Sequence, residues 1–317
     1  MVKRIAFLFP GQGSQYVGMG KEFYENYPIA KELFHESNNI LGIDIASLSF
    51  YGPEKELRLT ENTQPAILIN SIIALRILRE NGGVECEIAA GHSLGEYSAL
   101  VAAGSLSLHD AIDLVRKRGR FMQEAVPVGT GTMSAIIGLN KKEVEDICMK
   151  CSSIGIVQPA NLNSPDQIVI AGERKAVEYA IQIANENGAK KVVLLPVSAP
   201  FHCNLMRSAE DRLGIELKKV RFRDLSFPII TNVDAKKIDL GEDAKASLKR
   251  QVSSPVRWDE TMRLIVDEGI DTVIEIGPGN VLLGLMKRMN NGIKRLNVED
   301  IKSLERTIEY LQTGRRE

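Results

Sequence analysis

The stretch Gly91-His92-Ser93-Leu94-Gly95 constrains this chain more than any other. The apolar run Ile88 to Ala90 precedes it and the helix-forming EYSALVAA follows it, so the pentapeptide stands between a strand and a helix. A G-x-S-x-G sequence in that setting marks a sharp turn that pushes a serine hydroxyl outward, with glycines where side chains would clash. Strand, tight turn and helix in succession are an α/β pattern.

The rest of the chain extends that pattern and then interrupts it. Lys3 to Pro10 reads as a buried strand running into Gly11, and Pro28 to Leu41 and Pro65 to Arg79 carry the helical period. From Met133 the order becomes strand Met133 to Gly138, helix Lys141 to Ser152 opened by Asn140, strands Gly155 to Ala160 and Gln167 to Ala171, helix Arg174 to Asn187, and strand Lys190 to Leu195. This β-α-β-β-α-β order is the ferredoxin-like unit. Pro127, Gly129 and Gly131 bound it on one side and Pro196 and Pro200 on the other, as expected of an insertion with its own small core. The α/β pattern then resumes with helix Asn204 to Val220, strand Pro228 to Asn232, helix Asp259 to Glu268, strand Thr272 to Ile276 and helix Val281 to Met289. The expected fold is α/β, with a discontinuous large domain at 1–128 and 197–317 around a parallel sheet and an inserted ferredoxin-like domain at 129–196.

Bulk properties narrow the function. A chain of 317 residues accommodates one large domain with an insertion, or two modest domains. The 40 Lys and Arg against 41 Asp and Glu leave a formal charge of −1, so there is no global field to draw in a phosphate backbone, and nucleic acid is not an expected partner. The apolar runs fall short of the roughly 20 residues a spanning helix needs, so no membrane is expected either. Met1 to Pro10 has no apolar core followed by a small-residue cleavage site, and a cytoplasmic location is the expectation. Cys148 and Cys151 form a lone C-x-x-C within a helical stretch, with no second pair and no histidine nearby, so neither a metal site nor a redox role is expected.

A serine hydroxyl is a weak nucleophile until a base takes its proton, and histidine is the usual base. Of the four histidines, His35 lies in a helical pattern, His109 in the first turn of a helix, and His92 adjoins Ser93 on a turn that should send its side chain elsewhere. His202, in the loop after Pro200-Phe201, is the candidate that remains; capping or packing against the next helix is its structural alternative. The backbone N–H of Leu94, at the helix start, is placed to face an oxyanion developing on a carbonyl attacked by Ser93. Gly11-Gln12-Gly13-Ser14-Gln15 follows the first strand and begins like a phosphate-binding loop, but Tyr16 stands where a third glycine belongs and no Gly-Lys-Ser/Thr follows. The same loop can instead bring Gln12 to the elbow as a second oxyanion donor.

Ser107 and Asp110 read as a capping box opening a helix that runs to about Ala125. Leu108, Ala111, Ile112, Leu114, Val115, Phe121 and Met122 form its apolar face, and Arg118 projects from the middle of that face. A guanidinium there is costly unless it meets a carboxylate, either of the protein or of a ligand. Beside a serine nucleophile, a planar fork that grips carboxylates points to an acidic substrate, and a structural ion pair is the other reading.

GQGSQ at 11–15, GHSLGE at 91–96, RGRFMQEA at 118–125, NLNSPDQIVIAG at 161–172, FHCNLM at 201–206 and EIGPGNVL at 275–282 together resemble the malonyl-CoA:acyl carrier protein transacylases of fatty acid synthesis, from about Lys3 to about Leu311. The resemblance implies an α/β-hydrolase-like large domain with a ferredoxin-like insertion. It implies Ser93 as nucleophile, His202 as base, the backbone N–H groups of Gln12 and Leu94 as oxyanion hole, and Arg118 as the clamp on the malonyl carboxylate. Gln251, in RQVSSPVRW, would orient His202 through its backbone carbonyl, displacing Asp166, which sequence alone might nominate. Met122, Asn161, Asn163 and Phe201 would line the substrate cleft, the ring of Phe201 leaving little room for an α-methyl group. The implied partners are malonyl-CoA and a holo acyl carrier protein docking on a basic pair such as Lys190-Lys191 or Lys249-Arg250; a monomer with no cofactor is expected. A serine esterase or thioesterase, which would pass the acyl group to water, and a nucleotide-binding or carrier-docking module are the rival readings.

Overall fold

A computed structural model describes residues 3–313 with the exception of residue 198. Its strands are β1 (Ile5–Phe9), β2 (Ile88–Gly91), β3 (Gly131–Ile137), β4 (Val157–Ser164), β5 (Gln167–Glu173), β6 (Lys191–Leu194), β7 (Ile229–Ile230), β8 (Lys237–Ile238), β9 (Thr272–Ile276) and β10 (Lys294–Val298). They form two sheets. The larger has the order β10-β9-β1-β2-β7-β8, parallel from β10 through β7, with β8 returning antiparallel at the edge. The smaller is antiparallel, in the order β4-β5-β3-β6. A mixed α/β fold with one parallel-containing sheet and a separate antiparallel sheet is what the element order predicts.

All five residues of β1 (IAFLF) are buried, because helices cover both faces of the sheet and a central parallel strand keeps no polar side. Ile5, Phe7 and Phe9 point into the main core, while Ala6 and Leu8 point into a second cluster with Trp258, Met262 and Ile265. The helix Thr60–Gly82 runs through the main core with Ile67, Leu68, Ile69, Ile72 and Ile73 all buried, and residues 62–75 are enclosed on every side. A third cluster, including Ile136, Val144, Ile147, Ile168 and Val177, joins the small sheet to the helices Lys141–Lys150 and Arg174–Glu186. Cys148 and Cys151 lie in it as free thiols, and burial pushes Cys148 up to about 12. Among the described residues no helix is long and apolar enough to cross a membrane.

The two bodies are stitched at β4. Asn161 forms a parallel bridge with Val256 of the large body, Leu162 N–H donates to Val256 O at 2.8 Å, and Val256 N–H donates to Ala160 O at 2.9 Å. This fixes the inner edge of the small sheet over the carboxyl ends of β1 and β2.

The helices Pro28–Leu41 and Val281–Met289 and the strand Thr272–Ile276 have the predicted bounds. Two local readings are corrected. Ser107 caps the helix Leu108–Glu124 by accepting from Asp110 N–H, but the Asp110 carboxylate takes the Ser107 hydroxyl rather than its backbone N–H, so the reciprocal box does not close. The segment after His202 opens with a single 3-10 turn, Asn204–Met206, before the α-helix Arg207–Leu217. The helix Gly241–Gln251 escapes the periodicity reading because GEDAKASLKRQ offers no broad apolar stripe: of its buried residues Gly241, Ala244, Ser247, Leu248 and Gln251, only Ala244 and Leu248 carry apolar side chains.

Candidate active site

Strand register builds the site. Phe9 pairs with Gly91, and Ala90 with Ile230, so the chain leaves β1, β2 and β7 at the same level, the edge where open α/β sheets bind ligands. The glycines of the elbow are required by contact. A Cβ on Gly91 would lie 1.9 Å from Gly95 C, one on Gly95 2.1 Å from Phe9 O, and one on Gly11 2.5 Å from His92 O. The loop after β1 is thus pressed against the turn that carries Ser93. Ser93 itself has φ 51°, a left-handed conformation that costs about 1 kcal/mol or more and needs outside support. Asn232, just beyond β7, supplies it: its Oδ1 accepts from Ser93 N–H at 2.6 Å and its Nδ2 donates to Gly91 O at 2.7 Å.

His202 arrives from the segment returning from β6 to the large body, also in a left-handed conformation (φ 60°). Its Nε2 is 2.8 Å from Ser93 Oγ and its Nδ1 is 2.8 Å from the Gln251 carbonyl. A carbonyl only accepts, so Nδ1 carries the proton and Nε2 is free to receive one from Ser93. Gln251 is the last residue of its helix, and its carbonyl belongs to the unsatisfied negative end of that helix. A helix terminus therefore stands where a serine hydrolase places an aspartate. Asp166 is not that acid: its carboxylate accepts from Ser164 Oγ at 2.9 Å within the small body.

Arg118 is 1% exposed, and its partners are all neutral. Nη1 donates to Gln64 Oε1 at 2.8 Å; Nη2 donates to Gln251 Oε1 at 2.8 Å and to Ser93 Oγ at 3.0 Å. Its guanidinium lies over the Tyr97 ring, 5.6 Å from the centroid, and among the described residues its Nε has no partner. No protein carboxylate is bonded to this buried cation, which favours the ligand over the structural ion pair as the source of its counter-charge. Burial, then the positive charge of Arg118, lowers the His202 imidazole to about 3, so the resting imidazole is neutral.

Glu96 is fully buried one turn beyond Ser93. It accepts from Asn232 N–H at 2.9 Å, Gln251 Nε2 at 2.8 Å and Ser247 Oγ at 3.2 Å, and burial raises it to about 7 despite these bonds. Ser93, Arg118 and His202 open on a pocket of about 100 Å³ between the two sheets, lined also by Gln12, Gln64, His92, Leu94, Met122, Met133, Asn161, Leu195, Val197 and Phe201. The backbone N–H groups of Gln12 and Leu94 have no hydrogen-bond partner among the described residues, as donors awaiting an oxyanion would not.

Comparison with known proteins gives the family. The acyl transferase domain family matches residues 6–308. The chain is 48% identical over 312 residues to the malonyl CoA-acyl carrier protein transacylase of Bacillus subtilis strain 168, covering 98% of both, and 46% identical over 286 residues to that of Escherichia coli strain K12, covering 90% of this chain and 93% of the relative. The chain belongs to the malonyl CoA-acyl carrier protein transacylase family. Among solved members, the transacylase from Coxiella burnetii superposes with a TM-score of 0.96 at 43% identity, covering 98% of each chain. A malonyl-transacylase solved with its type II PKS acyl-carrier protein superposes at 0.95 with 44% identity, covering 97% of this chain and 99% of that one.

Of the residues that the family resemblance nominated, Ser93, His202, Arg118, Gln12, Leu94, Met122, Asn161 and Phe201 meet at one pocket, and Gln251 stands behind it. Asn163 does not line the pocket; its Oδ1 is 2.9 Å from His92 Nε2, and the His92 ring, which packs edge-on to Trp258, makes no hydrogen bond to Ser93 although His92 lines the pocket. Sequence reasoning missed Gln64, Glu96 and Asn232. Asn232 was findable, since it follows the predicted strand Pro228 to Asn232 at the sheet's carboxyl edge, whereas Gln64, in a buried polar first turn, gives no signal. Glu275, in the EIGPGNVL motif, accepts from the N–H groups of Leu282 and Leu283 and caps that helix outside the pocket, with its carboxyl raised to about 8 by burial.

Proposed function

We propose that this protein transfers the malonyl group of malonyl-CoA to the phosphopantetheine thiol of a holo acyl carrier protein for fatty acid synthesis, through a malonyl ester on Ser93. The observation that carries this reading is that Ser93 Oγ is bonded at once to a neutral imidazole and to a buried guanidinium lacking a carboxylate. Ser93 Oγ attacks the thioester carbonyl as its proton passes to His202 Nε2. The new imidazolium is supported through Nδ1–H by the Gln251 carbonyl at the negative end of its helix. The tetrahedral oxyanion is received by the N–H groups of Gln12 and Leu94, and collapse expels coenzyme A, whose sulfur takes the proton from Nε2. The carrier thiol then gives its proton to His202, attacks the ester, and Ser93 Oγ recovers the proton as it leaves. No metal or redox cofactor is required.

The malonyl carboxyl carbon is three bonds from Ser93 Oγ, within the reach of Arg118, which forms the clamp. Phe201, with Met122 and Asn161, closes the pocket around the methylene and disfavours an α-methyl substituent. The large body is α/β-hydrolase-like, over 1–128 and 197–317, and the insertion at 129–196 is ferredoxin-like; the order β4-β5-β3-β6 and its two packed helices support this. Of the two basic pairs, Lys190-Lys191 is exposed, while Arg250 is engaged with Asp234, so the former suits the acidic carrier better. A cytoplasmic monomer that meets both partners in solution belongs to the same reading. The test is to supply malonyl-CoA and holo carrier and to follow malonyl-carrier against free malonate. Malonyl-carrier as the main product is expected; malonate as the main product would make the protein a hydrolase.

A further inference from the structure

Gln251 bonds to Ser93, Arg118 and His202 at once. Its carbonyl holds His202 Nδ1 at 2.8 Å, its Oε1 holds Arg118 Nη2 at 2.8 Å, and its Nε2 donates to Ser93 O at 3.0 Å. An amide can be turned either way round, and only one orientation makes these bonds. What selects that orientation lies on the far side: Nε2 also donates to Glu96 Oε2 at 2.8 Å, so the amide stands between a cation that needs its oxygen and a carboxylate that needs its nitrogen. The same Oε2 accepts Asn232 N–H, and Asn232 holds the strained Ser93 backbone through its side chain.

We propose that Glu96 is a positioning residue of the acyl transfer, fixing the Gln251 amide and the Asn232 backbone so that Arg118, His202 and Ser93 are aimed together. Glu96 does not line the pocket and meets no substrate. It acts through Gln251 on the clamp and the base, and through Asn232 on the nucleophile. The charged groups facing it are Arg118 and Arg250, with the Tyr97 phenol beside it. Arg118 is one amide away, so an error in the Gln251 rotamer is passed directly to the guanidinium. The effect is therefore largest on the substrate that needs the clamp. This inference rests on the malonyl-transfer reading.

The substitutions separate bond placement from mere occupancy. In Glu96→Gln the amide oxygen can take the Oε2 position, accepting from Asn232 and Gln251, while its NH₂ donates to Ser247 Oγ, so all three bonds survive. Glu96→Ala deletes them. Ser93 acylation is followed by quenched-flow mass measurement with malonyl-CoA and with acetyl-CoA, alongside thermal melts. For Glu96→Ala the expected result is a loss of about 100-fold in malonyl kcat/KM, the size of effect that a misplacement of about 1 Å produces, and a roughly 10-fold fall in the malonyl-to-acetyl ratio. Glu96→Gln is expected to recover to within about 5-fold of native on both counts. If the alanine variant does not fold, Glu96→Asp decides, because it keeps the charge but withdraws the carboxylate from Gln251; the malonyl-to-acetyl ratio should fall again. A native ratio in the Ala or Asp variant, or a Gln variant as impaired as the deletion, overturns the proposal. A native protein that takes up no malonyl group defeats instead the transferase reading on which it rests.

Discussion

Arg118 Nη2 lies 3.0 Å from Ser93 Oγ, so the fixed positive charge of the site touches the atom proposed to be acylated. The contact favours the developing alkoxide, and after burial, the larger cause, the same charge helps to keep the His202 imidazole weakly basic at rest. Ser93, His202 and Arg118 are one electrostatic unit, and the consequences can be measured separately.

Replacing Arg118 with alanine removes the proposed partner of the malonyl carboxylate. The expected loss in kcat/KM is about 1000-fold for malonyl-CoA, near 4 kcal/mol, against about 10-fold for acetyl-CoA, which loses only the support to Ser93 and Gln251. Competition kinetics with the two thioesters measure this; equal losses would contradict the clamp.

Gly11 touches no reacting atom, yet a Cβ there would lie 2.5 Å from His92 O and push the Gln12 loop off the elbow. Gly11→Ala should therefore lower kcat by about 100-fold, equally for malonyl and acetyl substrates, as loss of one oxyanion donor does. Single-turnover acylation checks it, and a selective loss for one substrate would show that Gln12 belongs to the clamp instead.

The pH dependence of acylation carries the signature of His202. Its imidazole, lowered to about 3 by burial and by Arg118, stays neutral and competent as the pH falls through the ordinary histidine value of 6.5. The His202 contribution to the acylation rate is thus expected to be flat from pH 8 to 5, and a limb near 6.5 that persists in Glu96→Gln would mean the base is solvated. The folded value lies below the unfolded one, so the associated stability is complete above 6.5 and is lost as the pH drops toward 3.

Glu96 has the opposite sign. Raised to about 7 by burial, it contributes stability that is complete below its ordinary 4.5 and is lost as the pH rises through about 7. Glu96→Gln mimics the protonated form and should flatten that decline. Between pH 5 and 8 the native Tm is expected to fall further than the variant's by on the order of 5 °C, with contributions from His202 and Glu275 cancelling in the difference. Parallel melting curves would place the Glu96 carboxyl near its unperturbed value.

The contrast between Ser93 and Gln64 shows what could be read before any coordinates. Ser93 sits in a local pattern whose glycines, flanking strand and following helix are contiguous, and contact distances at Gly91 and Gly95 show why that spelling is obligatory. Arg118 was equally legible, as a cation on an otherwise apolar helical face, though the geometry was needed to show that no protein carboxylate answers it. His202 came from elimination, and the family resemblance was needed for Gln251, because a backbone carbonyl at a helix end leaves no side-chain signature. Gln64 and Glu96 were invisible for a related reason. Their roles come from partners 54 and 155 residues away, in Arg118 and Gln251, and no local period encodes such pairings. The helix Gly241–Gln251, which carries the helix-end carbonyl, was missed for want of an apolar stripe.

Exposing the native protein to malonyl-CoA, quenching in acid and mapping the modified peptide by mass tests Ser93 as the nucleophile. One malonyl group on Ser93 is expected, absent in Ser93→Ala and discharged when holo carrier protein is added before the quench. An adduct on any other residue, or one that persists in Ser93→Ala, would contradict that role.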